Sequence, residues 1–417
     1  MAGRRLFLIL ILILGLSAQL SAASYPLIVQ TSPLASITFI VGALGGTLVD
    51  RIPGTNTYLI NVPLVPSPLI ASWLGIQWME LNTGVTQPGF IQVGVVTVPP
   101  NTPPDWYKAQ PSMLRIHAGD ALAYSTGRGV VVADINSKVD VAHLALIGHL
   151  TGGYDFVINK PSGSTALNQS SSSFMDQSSS TFMDQSSSSF MDQSSSSFVD
   201  QSSSSFMDSR NPAYSHGTLC AGIIAVVAPD SMIMPLRVFD DQGEADLFTI
   251  AKAIRYAVQN GAQVINMSFG TLQPSQALQS AIDFALSRNV ALVASAGNNN
   301  TSAPQYPAAY NDVMTTAATD LWDMKASFSN YGSAIFVDAP GVNIFSAYPG
   351  GYYSVVSGTS FSAPAVAGTA ALVRSLRATK VDDAIANGSV NIDSNNPNYA
   401  KQLGYGRIDV VRAVKPD

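Results

Sequence analysis

From residue 129 to the C-terminus, short apolar runs recur, each closed by a polar or glycine-containing turn. Runs at 130–135, 232–238, 263–266, 290–294, 313–317 and 335–337 are largely apolar on consecutive positions rather than alternate ones. That is the pattern of strands covered on both faces. Between them lie helical stretches such as 247–260 and 275–288, and two small-residue apolar runs, 219–227 and 363–376. Strands and helices in alternation predict an α/β fold, with a doubly wound, mostly parallel sheet flanked by helices. Upstream the pattern differs. Strand-like pieces at 27–29, 47–49 and 58–62, a helical stretch at 32–43, a turn at Ile52-Pro53-Gly54 and a segment at 77–80 predict a small α+β domain over 24–85. Residues rich in Pro, Gly and Thr make 86–110 a linker, and 111–417 the large domain.

One segment breaks this alternation. From Gln169 to Asp208 the octapeptide Gln-Ser-Ser-Ser-Ser-Phe-Met-Asp recurs five times with minor changes. One aromatic per eight residues cannot build a core, so the insert reads as disordered. Its even period would place Phe174, Phe182, Phe190, Phe198 and Phe206 on one face if it were extended. The insert ends shortly before His216.

The N-terminus carries the parts of a secretory signal over 1–23: Arg4 and Arg5, an apolar run over 6–14, and the small residues Ser21-Ala22-Ala23. The run is shorter than the roughly 20 residues of a membrane span. The expectation is an exported protein, extracellular or periplasmic, with no membrane association once the signal is removed. A net charge of −6 without a long basic run argues against nucleic acid as partner. The single cysteine, Cys220, permits no internal disulfide and falls in an apolar helical run where thiols are usually inert.

Candidate chemistry sits at the ends of the predicted elements. Gly358-Thr359-Ser360 precedes the apolar run 363–376, which puts a serine at a helix N-terminus. Unpaired N–H groups and the positive dipole end there favour a developing oxyanion. Ser215-His216-Gly217-Thr218 opens a second small-residue helix, and an imidazole is the base a serine hydroxyl needs near neutral pH. Asn298, after the strand at 290–294 and Gly297, offers an amide N–H as a further oxyanion donor. Alone, a serine at a helix start is most often a cap and a Gly-Asn pair most often a turn. Together and in this order they say more.

The chain resembles the subtilisin-like serine peptidases, in which an Asp, a His in His-Gly-Thr, an oxyanion Asn and a Ser in Gly-Thr-Ser follow in this order. The likeness runs from about Trp106 to Val414 and includes Asp338-Ala339-Pro340-Gly341 and Gly404-Tyr405-Gly406-Arg407-Ile408. Residues 26–82 are similar, less specifically, to the family's inhibitory propeptide. The resemblance implies Ser360 as nucleophile, His216 as base, and Asn298 with the Ser360 N–H as oxyanion hole. It also implies a polypeptide substrate lying extended against Ser268, Phe269 and Gly270 and against Ser295, Ala296 and Gly297. The propeptide-like domain is then a partner of its own chain. No cofactor is expected. Calcium is common in the family, but no dense acidic cluster marks a site.

The third triad member departs from the pattern. An ungapped match of Val132, Ala133, Ile135, Val139, Asp140, His143 and Leu146 to the family leaves Asn136 where the catalytic Asp belongs. Asp134 lies two positions earlier, on the same strand face. Either Asn136 faces His216, or the strand slips by two residues and Asp134 serves. The sequence therefore supports a secreted serine endopeptidase acting through an acyl-enzyme, or alternatively an impaired pseudopeptidase that binds peptides or a partner.

Overall fold

The computed structural model describes residues 24–97, 103–163, 212–376 and 380–415. The signal-like segment and the octapeptide repeats lie outside the described residues. The chain divides into two units, residues 1–83 and 84–417.

In the first unit, strands β1 (Tyr25–Thr31), β2 (Thr47–Arg51), β3 (Thr57–Val62) and β4 (Ile76–Leu81) form an antiparallel sheet in the order β2-β3-β1-β4. Helices α1 (Ile37–Ala43) and α2 (Pro68–Trp73) accompany it. Helix α1 begins five residues later than the expected start at 32, because the Ser36 side chain accepts the Phe39 N–H and caps it there. Alternate residues Leu27, Val29, Ile60 and Val62 close a core with Ile40 and Ala71.

The second unit is built on an eight-stranded sheet in the order β15-β14-β13-β12-β7-β10-β8-β9. Its members are β7 (Val131–Asn136), β8 (Gly152–Asp155), β9 (Lys160–Gly163), β10 (Met232–Arg237), β12 (Val264–Met267), β13 (Ala291–Ser295), β14 (Val313–Thr319) and β15 (Val337–Pro340). All pairings are parallel except β8–β9 at the edge. The expected doubly wound sheet is present. From β7 the chain passes to β8, β9 and β10 on one side and then to β12 on the other, so the C-terminal end of β7 is a topological switch point, where α/β sheets bind ligands.

Helices α3 (His216–Val227), α4 (Leu247–Gln259), α5 (Gln276–Ser287) and α6 (Thr359–Leu376) flank the sheet. The Asp246 and Ser275 side chains cap α4 and α5. Helices α3 and α6 are buried nearly all round and pack on each other. Gly368 makes that approach possible, since a Cβ there would lie 2.7 Å from the Val227 Cβ.

The stretch expected to be a linker is instead built into this unit. Strand β5 (Gly84–Thr86) pairs with β11 (Glu244–Asp246), and β6 (Ile91–Val96) completes an antiparallel sheet with β16 (Ile344–Tyr348) and β17 (Tyr352–Ser357). Sheet hydrogen bonding to strands distant in sequence overrides the Pro and Gly content.

Candidate active site

Three elements deliver the site. Strand β7 ends at Asn136, α3 starts at His216, and α6 starts at Thr359 with Ser360 second. The turn after β7 is stitched to the head of α3: the Gly217 N–H donates to Ser137 Oγ at 3.1 Å, and the Asp140 N–H to Thr218 Oγ1 at 2.9 Å. Residue 217 must be glycine for this, because a Cβ would fall 2.5 Å from the Ser137 carbonyl oxygen. The His-Gly-Thr motif thus brings the end of β7 to the imidazole.

His216 Nδ1 lies 2.7 Å from Asn136 Oδ1. It is Asn136, and not Asp134, that meets His216; the two-residue slip does not occur. The same oxygen accepts the Ser137 N–H at 2.9 Å and Gln87 Nε2 at 2.8 Å. Behind it, Asn136 Nδ2 donates to the two Asp134 carboxylate oxygens at 3.3 and 3.4 Å. The parallel register sets Asn266 of β12 beside Asp134, and Asn266 Nδ2 donates to Asp134 Oδ1 at 2.8 Å. All three side chains are buried.

Ser360 and His216 fall in one cluster. The His216 ring packs 5.7 Å from the ring of Phe361, and Cys220, one turn after His216, donates its thiol to the Ser360 carbonyl at 3.4 Å. The Ser360 hydroxyl donates to the Ser268 carbonyl at 3.4 Å, and His216 Nε2 has no hydrogen-bond partner among the described residues. Asn298 Oδ1 accepts the N–H and the hydroxyl of Thr359, both at 2.9 Å. Anchored so, its Nδ2 points outward and donates to the Gly89 carbonyl at 3.1 Å.

The residues expected to line a substrate divide. The Ser268 hydroxyl donates to the Ser360 carbonyl at 3.0 Å. The Phe269 ring is buried against Phe239, so only its backbone can meet a ligand. Ser295 and Ala296 are buried at the end of β13, and Gly270 and Gly297 both border the Gln305 side chain.

Residues not singled out in the sequence cover this constellation. Strand β5 runs along β11, and the Gln87 N–H donates to the Gly243 carbonyl at 2.8 Å. The Phe90 ring then lies 5.7 Å from His216 and 5.1 Å from Phe361. The covering segment is the chain's own, extended over Gly84–Thr86, and its ladder partner is β11, not Ser268–Gly270 or Ser295–Gly297. The alternation of Ile91, Val93 and Val95 was the signal for β6; nothing local marks Gln87 or Phe90.

Burial governs the electrostatics. It pushes His216 down to about 3 and Asp134 up to about 7, the latter opposed by the hydrogen bonds from Asn266 and Asn136. Burial, then the neighbouring Asp134 charge, pushes Cys220 well up and keeps it a thiol. Among the described residues no group of three or more His, Cys, Asp or Glu side chains is arranged to hold a metal ion. No described helix is long and apolar enough to cross a membrane.

A serine and a histidine heading two packed helices, with an anchored amide donor at the carboxyl edge of a doubly wound sheet, are the parts of a serine peptidase. The family model of the subtilases matches residues 127–406, and the chain belongs to that family. Thermitase of Thermoactinomyces vulgaris is 33% identical over 328 residues, 75% of this chain and 99% of thermitase. A thermophilic serine proteinase of Bacillus sp. (strain AK1) is 40% identical over 212 residues, 48% of this chain and 52% of that protein. Among solved structures, fervidolysin from Fervidobacterium pennivorans, a keratinolytic enzyme related to subtilisin, superposes with a TM-score of 0.71 at 22% identity. That match covers 95% of this chain and 61% of fervidolysin, and at such identity it speaks to fold alone.

Proposed function

We propose that the chain is the precursor of an exported serine endopeptidase, held latent by residues 84–90 lying in its own cleft. One observation carries this reading: the Asn298 amide grips the Gly89 carbonyl at the head of the helix that bears Ser360. A carbonyl gripped there is positioned as the electrophile of an acyl transfer. In the reaction the Ser360 hydroxyl attacks the Gly89 carbonyl carbon while His216 Nε2 takes its proton. Asn298 Nδ2 and the Ser360 N–H hold the oxyanion, and His216 returns the proton to the Phe90 amine as it leaves. Water then hydrolyses the acyl-enzyme, and the freed cleft accepts other polypeptides. Residues 24–85 act as the propeptide domain, released together with 86–89, and the Arg4, Arg5 and Ala23 pattern supports export by a removable signal.

The test compares the full chain with Ser360→Ala. The parent should convert to a form whose new N-terminus is Phe90 and then react with a fluorophosphonate probe, whereas Ser360→Ala should do neither. If the parent stays whole and unlabelled, the peptidase reading is wrong. A second reading, a pseudopeptidase that binds extended peptides, draws support from the amide at 136 and from the Ser360 hydroxyl bonding Ser268 rather than His216. Peptide binding without cleavage or labelling would favour it.

A further inference from the structure

An amide in place of the triad carboxylate ordinarily turns its N–H₂ to the imidazole and enforces the wrong tautomer, at a cost of about 10⁴-fold in kcat. This site is built differently. Above about pH 7, where Asp134 is ionised, its carboxylate only accepts, and a backbone N–H only donates. Asp134 lies against one end of the Asn136 amide at 3.3 and 3.4 Å, and the Ser137 N–H lies against the other at 2.9 Å. Reversing the amide would set oxygen against the Asp134 oxygens and N–H₂ against the Ser137 N–H. A carboxylate buried in a central strand is costly unless paired, and two donors from two strands, Asn136 and Asn266, pair this one.

We propose that Asp134 is a positioning residue of the triad: acting through Asn136, it holds the amide with its oxygen toward His216. His216 Nδ1 must then carry the proton at the 2.7 Å contact. Nε2 is left with the lone pair that takes the Ser360 proton. The carboxylate that the family sets against the imidazole is thereby moved one side chain back, with Asn136 as the relay. The kinetic part of this inference rests on the peptidase reading above; the tautomer does not.

The experiment is ¹⁵N NMR, at about pH 8.5 where Asp134 is ionised, of histidine-labelled full chain carrying Ser360→Ala, so that no self-cleavage occurs, with His216 assigned by loss of its signals in His216→Ala. The expected state has Nδ1 protonated and Nε2 bare; the opposite tautomer with Asp134 intact overturns the proposal without any change at 134. Asp134→Asn should then shift His216 toward the Nε2–H form. On the Ser360 enzyme the same change should cut kcat at least about tenfold, toward the 10⁴-fold cost of a wrong tautomer, with KM within about twofold. A folded Asp134→Asn protein that keeps both tautomer and kcat overturns the role of Asp134. If that variant does not fold, Asp134→Ser, which removes the acceptor charge without adding an amide, is read in the same way. A parent with the expected tautomers but no turnover leaves the positioning intact and sinks the peptidase reading instead.

Discussion

Restoring the family's acid with Asn136→Asp tests how the site balances its charges. One new oxygen would keep the 2.7 Å contact to His216, and the other would stand where Nδ2 now lies, 3.3 Å from an Asp134 oxygen. Two unit charges at that separation repel by about 5 kcal/mol at an effective dielectric of about 20. That corresponds to a rise of more than about 3 units in one carboxyl's pKa. The pair would therefore hold one proton between them near neutral pH. Because the tautomer is already correct, the new carboxylate adds only its charge opposite the imidazolium, and the shared proton removes part of that. The single variant should gain about 10- to 100-fold in kcat and lose about 1–3 kcal/mol of stability. The double variant Asn136→Asp/Asp134→Asn should gain more in kcat and recover stability. Initial rates on a fluorogenic peptide, with urea midpoints on matched Ser360→Ala proteins, measure both. A gain near 10⁴-fold in the single variant would show that the amide had imposed the wrong tautomer. Asp134→Asn lowering kcat equally in both backgrounds would also refute the reasoning.

Asn298→Ala removes an anchored oxyanion donor and should lower kcat about 10²–10³-fold with little change in KM; a similar loss in KM alone would assign Asn298 to ground-state binding. Gly368→Ala drives a methyl to 2.7 Å from the Val227 Cβ and should destabilise by about 1–3 kcal/mol in urea melts, with Val227→Ala restoring most of it. The pH dependence of stability should separate two opposing groups. Between about 3 and 6.5 the unfolded chain protonates His216 while the fold refuses, so this group makes stability rise with pH. Between 3.8 and about 7 the fold holds a proton on Asp134 that the unfolded chain releases, so that group makes stability fall with pH. Removing the second with Asp134→Asn, on Ser360→Ala protein, should steepen the rise from pH 4 to 6 by up to about 1.4 kcal/mol per pH unit. Equal slopes in parent and variant would contradict it.

Most of the parallel sheet was legible in the sequence because strands covered on both faces are largely apolar on consecutive rather than alternate residues, and these were, at 131–136, 232–237, 264–267, 291–295 and 313–319. Helices α4 and α5 likewise matched their periodicity. The edge strands β8 and β9 and the hairpin of β16 and β17 were not read from the sequence, and β6 shows only its alternation of Ile91, Val93 and Val95, since its partner β17 lies far along the chain. The site divides in the same way. Ser360, His216 and Asn298 stood out because each closes or opens an element whose period the sequence displays. Which of Asp134 and Asn136 meets the imidazole was undecided by sequence, because both lie on one face of one strand. The close fit at Gly217 decided it, and that distance exists only once helix and strand are packed. Gln87 and Phe90 belong wholly to tertiary structure: they reach the site through pairings with β11 and β17, more than 150 residues away in sequence.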